Sequence, residues 1–176
     1  MSALSVLYIV LPILALSLCH TLEVLFTARR WASHHSASSD EAHQSLVNIL
    51  FRLSGMNMSA LVIAAVVGFL AVLLSTAALF AGGLWAELVW TTVFMAYSVC
   101  ALISIVRAVT LKGYVPGLVT SIISVPLIAY AAYSLSLVWP WWGMLLFAIV
   151  GLVLAVAGHF IAQRIGRYST TISASL

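Results

Sequence analysis

Five runs of roughly twenty apolar residues, at about 2–26, 57–80, 85–106, 114–137 and 141–163, leave this chain few ways to fold. A hydrocarbon core about 30 Å thick is crossed by ~20 residues of helix. In lipid only helices and closed barrels satisfy their own backbone, and these runs are too long and continuous for barrel strands. Composition agrees: 64% of the 176 residues are apolar and 6% are charged. A soluble domain carries about 25% charged residues, enough to cover a wet surface. The expectation is an all-α integral membrane protein, a single membrane domain over residues 1–176 built as a five-transmembrane-helix bundle.

The net charge of +3 is small, so the placement of the seven basic residues is what informs. Arg29, Arg30 and Arg52 fall in the first connection, 27–56. Arg107 and Lys112 fall in the third, and Arg164 and Arg167 in the tail. The other two connections, "AGGL" after Phe80 and "VWPWW" around Pro140, carry none. All seven therefore share one side, which the positive-inside rule makes cytoplasmic. The amino terminus is then outside and the carboxyl terminus cytoplasmic, in what we expect to be a bacterial inner membrane. Trp85, Trp139, Trp141 and Trp142 mark the outer interface and Trp31 the inner one. Within 27–56, Leu46, Val47, Leu50, Phe51 and Leu53 come near helical spacing and predict a short amphipathic helix on the inner leaflet. The opening segment lacks the basic start of a signal peptide and reads as retained. Cys19 and Cys100 both lie in apolar runs and imply no disulfide framework.

Ionisable groups inside a membrane segment are costly and usually face the bundle interior. His20 and Glu23 stand three residues apart, on one face of the first helix, and Thr27 continues that face. Tyr97, Cys100, Ser104 and Arg107 form a stripe on the third helix at spacings of three and four. The fifth helix carries His159 and Gln163, and the second opens with Asn57. The fourth opens with Tyr114, Pro116, Gly117 and Thr120. In the expected topology all five helices bring polar groups to the same depth, near the inner leaflet. The structural alternative is that these groups are interfacial, snorkelling to the headgroups, and that Glu23 pairs with Arg29 or Arg107. Cys100 reads more readily as a packing residue than as a nucleophile. Pro126 reads as a kink in the fourth helix. Gly151, Ala155 and Gly158 read as a small surface for close helix packing.

The connection also holds His34, His35, Asp40, Glu41 and His43, which are suitable ligand types. Their spacing matches no rigid zinc signature, and a serine-rich segment preorganises nothing. No metal and no other cofactor is expected.

Two stretches carry a family likeness. "LCHTLEVLF" resembles the signature of the HXXEE-motif family of small bacterial membrane proteins, a histidine and two glutamates near the end of the first helix. "YVPGLVT" resembles a second family feature, Tyr-x-Pro-Gly-x-x-Thr, at Tyr114, Pro116, Gly117 and Thr120. Val24 stands where the second glutamate belongs, and the family's histidine about ten residues before the tyrosine corresponds to a slot near Ser104. The likeness implies the fold and a polar centre on His20 and Glu23. It implies no particular reaction, and a metal site of two carboxylates and two histidines would be depleted here.

Two functions follow. The first is a membrane-embedded enzyme acting on a lipophilic small molecule at the cytoplasmic leaflet, of isomerase, cyclase or hydrolase type. His20 would be its general acid or base. Glu23 would orient it or stabilise a cationic intermediate. Tyr97, Cys100, Ser104, Arg107, Tyr114, Thr120 and His159 would bind the substrate. The second is a lipophile-binding, transport or accessory membrane subunit. The nearly apolar outer halves of the helices argue against a pore. Partners are membrane lipids, the lipophile and a second copy of the chain, with no nucleic acid.

Overall fold

The structure, a computed structural model, describes residues 6–36 and 58–173. Among the described residues there are five long helices and no strand. Helix α1 is Leu11–Ser36, α2 Met58–Ala81, α3 Leu84–Thr110, α4 Leu118–Ser136 and α5 Trp141–Ser173. A π-helical turn, Val6–Val10, precedes α1. Pro12 follows it and has no N–H for the carbonyl one turn back.

Each helix holds a stretch long and apolar enough to cross a membrane: Tyr8–Ala28, Leu61–Ala81, Leu84–Thr110, Leu118–Ser136 and Trp141–Ala162. The shortest, of 19 residues, spans about 28 Å at 1.5 Å per residue. Large apolar side chains such as Phe26, Leu74, Val106 and Val153 point outward, as lipid allows and water does not. Among the described residues, five helices are thus long and apolar enough to span a membrane.

The helices α1, α2, α3 and α4 pack in a ring, each against the next, with α4 closing back on α1. Helix α5 lies outside the ring against α2 and α3. At Gly151 a Cβ would stand 2.7 Å from the Ala96 backbone nitrogen, so this glycine lets α5 close on α3. A Cβ at Gly158 would meet open space, so the close crossing is confined to Gly151.

The interior is layered. At the end where α2 passes to α3, a cluster of Ile9, Val10, Ile13, Val72, Trp90 and Phe94 fills the ring. Trp90 and Phe94 stack at 5.5 Å. At the opposite end, which carries Arg30, Arg107 and Lys112, Ala108, Leu111 and Val115 form a second cluster with Trp31 and Leu118. Between them lies a polar layer that includes Ser17, Thr21, Ser98, Ser121 and Ser124, all buried. Thr21 reaches from α1 to the Ala65 carbonyl of α2 at 3.1 Å.

Helix α1 continues past its membrane-length stretch, through Arg30, Trp31, His34 and His35, to Ser36. Residues 37–57, with the expected amphipathic helix and Asp40, Glu41, His43 and Asn57, lie outside the described residues.

Candidate functional site

The α3–α4 connection builds the site. Helix α3 ends with the Gly113 N–H bonded to the Ala108 carbonyl at 3.1 Å and the Lys112 N–H to Val109 at 3.2 Å. That is a Schellman motif, with Lys112 at φ 48 in the left-handed position that glycine usually takes. The chain then turns through Val115–Leu118. The Leu118 N–H bonds to the Val115 carbonyl at 3.1 Å. Pro116 is at the second position and Gly117, at φ 86 and ψ 2, at the third. Pro-Gly at those places is the signature of a type II turn. Tyr114, Pro116 and Gly117 thus precede α4 rather than opening it.

A helix leaves its first N–H groups without partners. Gly117, the N-cap of α4, has no side chain to supply. Glu23 supplies the cap from α1. Its Oε2 accepts the Thr120 N–H at 2.8 Å and the Thr120 hydroxyl at 2.7 Å. Its Oε1 accepts the Val119 N–H at 3.1 Å and the Tyr114 hydroxyl at 2.7 Å. Four donors converge on a group that only accepts, which is the setting of an ionised carboxylate. The positive end of the α4 dipole faces the same charge.

His20 lies one turn deeper. Its Nδ1 is 3.0 Å from Thr120 Oγ1, and its ring also meets the Gly117 backbone. The fit is tight: a Cβ on Gly117 would fall 2.4 Å from His20 Cε1. Glycine is required there twice, for its positive φ and for the histidine lying on it. Trp31, two turns further along the same α1 face, donates its indole N–H to the Tyr114 carbonyl at 2.6 Å. Helix α1 therefore holds the α3–α4 connection with His20, Glu23 and Trp31.

These two segments are the two motifs read in the sequence, and here they touch. A family model described as a protein of unknown function with HXXEE motif matches residues 11–132. The chain belongs to the HXXEE family. No curated protein and no solved structure matches it. The HXXEE match begins at the start of α1 and ends inside α4, so it takes in both halves of the contact and leaves out α5. Val24, at the second glutamate position of the motif, is 3% exposed and packed in the protein interior. Among the described residues, Glu23 is the carboxylate at this contact.

Of the candidate residues, the structure brings His20, Glu23, Tyr114 and Thr120 into direct hydrogen-bonded contact. Tyr97 approaches from α3: its ring stands edge-on to His20 at 6.4 Å, and its hydroxyl is 2.8 Å from Ser124 Oγ. Cys100, Ser104 and Arg107 continue that α3 face toward the basic end. Ser104 bonds to its own helix at the Cys100 carbonyl, 3.1 Å away. Cys100 is exposed on that face. His159 is on α5, but its side chain, like that of Gln163, lies outside the described residues. Among the described residues no three His, Cys, Asp or Glu side chains gather where a metal would need them.

Sequence reading missed Ser124, the Gly117 seat and the α4 amides as partners of Glu23. The dipeptide Pro116-Gly117 was the available signal, since it announces a turn and hence a helix start just after it. Tyr114 also contacts Thr27, whose hydroxyl donates to the Glu23 carbonyl at 2.6 Å. Burial first, then the Glu23 carboxylate, pushes the Tyr114 phenol above its usual value of 10.0, so it donates throughout the physiological range.

Proposed function

We propose that His20 is an acid–base centre acting on a lipophilic small molecule within the membrane, near the leaflet that faces the cytoplasm. One observation carries this reading. The cap on α4 is complete without a histidine, because Glu23 already satisfies both helix amides and both hydroxyls. A further imidazole nevertheless sits inside a membrane-length stretch, fixed by Thr120 and seated on Gly117. A group costly to keep in lipid and unnecessary to the cap fits a chemical role. Glu23 is then a positioning residue, acting on His20 through Thr120. Tyr97 and the α3 face running to Arg107 line the approach. Isomerisation, cyclisation and hydrolysis all suit such a centre. The cytoplasmic assignment, in a bacterial inner membrane, rests on the basic residues sharing one side.

A second reading is a lipophile-binding or accessory subunit, alone or with a second copy. It is favoured by the complete engagement of the Glu23 carboxylate, which leaves it structural. Lipid extracts co-purified with the wild type and a folded His20→Ala variant separate the two. The enzyme reading expects an altered lipophile, with unconverted substrate held by the variant. The carrier reading expects loss of ligand and no new species. Identical extracts would reject a role for His20 in either.

A further inference from the structure

We infer that His20 rests as the Nδ1–H tautomer with Nε2 a bare acceptor, and that the polar layer consequently selects a lipophile bearing a hydrogen-bond donor, an apolar alcohol rather than a ketone, ester or ether. The choice of ligand rests on the reading of His20 as a ligand-facing centre; the tautomer does not.

The position of one proton decides the tautomer. The Thr120 hydroxyl has a single proton and three acceptors in reach. Glu23 Oε2 is at 2.7 Å, His20 Nδ1 at 3.0 Å and the Gly117 carbonyl at 3.2 Å. The carboxylate is the nearest and the only charged one, and charge-assisted bonds are the stronger. The proton goes to Glu23. His20 Nδ1 then faces an oxygen lone pair and must itself be the donor. A neutral imidazole carries one N–H, so Nε2 is left with its lone pair.

The same reasoning extends to Tyr97. Ser124 donates to the Thr120 carbonyl at 2.7 Å. Its oxygen can then only accept from Tyr97, 2.8 Å away, so the Tyr97 proton is also fixed and its oxygen keeps lone pairs. Other hydroxyls of the layer are turned inward too. Ser98 donates to Phe94 at 2.8 Å, Ser121 to Gly117 at 2.6 Å and Thr21 to Ser17 at 3.0 Å. Thr76, buried without a hydrogen-bond partner, stands one turn from Val72 in the apolar end and outside this layer. Arg107 donates, but it lies ten residues beyond Tyr97 on α3, about 15 Å along the helix. Around His20 the layer therefore offers acceptors. A carbonyl or ether oxygen would meet lone pairs, whereas a hydroxyl would meet Nε2.

The test is nitrogen-15 NMR of histidine-labelled protein in bilayers at neutral pH, with His20 assigned by its loss in His20→Gln. The wild type is expected to show protonated Nδ1 and bare Nε2. Thr120→Val should move His20 toward the Nε2–H form, and Thr120→Ser should retain the wild-type pattern. Titration with 1-dodecanol should shift the Nε2 resonance saturably. Dodecyl methyl ether should bind about tenfold more weakly, the value of one lost hydrogen bond. A resting Nε2–H form or an imidazolium would overturn the tautomer. Equal binding of alcohol and ether would overturn the selectivity. Because the resting spectrum needs no turnover, it is independent of the lipid-extract experiment. A confirmed tautomer with unchanged extracts would count against the proposed function and leave the tautomer standing.

Discussion

Gly117 answers two demands at once. Its φ of 86 belongs to the left-handed region, and the His20 ring occupies the space where a Cβ would go. Gly117→Ala should therefore lose at least about 2 kcal/mol, from backbone strain together with displacement of the histidine. Thermal unfolding in detergent would register it, and an unchanged midpoint would contradict the seat. Glu23→Gln tests the carboxylate. An amide offers one acceptor oxygen, so two donors that now meet oxygen would meet an NH₂ group. The expected loss is about 2–3 kcal/mol, with the shape of the side chain preserved. Tyr114 gives a pH signature. Its phenol is raised in the folded state by burial and by Glu23, so its stabilising bond is complete below about pH 10 and is lost as pH rises through the folded value. Unfolding midpoints should be insensitive to Tyr114→Phe substitution in their slope from pH 7 to pH 9. The steeper fall of the wild type should begin only above about pH 10. His20 and Glu23 were legible as residues, because charge in lipid is conspicuous. Their partners were not. Two of the four donors to Glu23 are backbone amides, which carry no side-chain signature.

Apolar length gives the five membrane stretches directly, since a bilayer fixes helix length. It does not place helix termini. The fourth apolar run starts near Tyr114, but Pro116-Gly117 makes a turn there and the helix starts at Leu118. Likewise α1 runs on to Ser36, because leaving the membrane does not end a helix whose sequence still permits one. The stripe of small residues on α5 pointed to close packing without saying which member makes it. Gly151 stands against Ala96, and Gly158 stands free. Gly151→Ala should cost about 1–3 kcal/mol through the clash with α3 backbone. Gly158→Ala should be neutral or slightly stabilising, since it adds helix propensity in open space. Equal effects at the two glycines would contradict a close crossing at Gly151. At the end of α3, Lys112 holds a left-handed conformation. Lys112→Gly should stabilise by about 1 kcal/mol.

Across the whole molecule, an apolar cluster closes one end of the helix ring, a polar layer crosses its middle, and the α1 contact with the α3–α4 connection closes the other. The proposed orientation puts the second closure at the cytoplasm. In a background without Cys19 and Cys100, a cysteine replacing Lys112 should react with an impermeant thiol reagent only after the membrane is opened. One replacing Trp85 should react in intact cells. The unity of this end depends on the motif of α1 and the motif before α4 acting as one device, joined through Glu23. A double-mutant cycle between Glu23→Gln and Thr120→Val, read by unfolding free energy in bicelles, measures that joint directly. A coupling of at least about 1 kcal/mol is expected, whereas effects that add to within about 0.5 kcal/mol would mean the two motifs act independently.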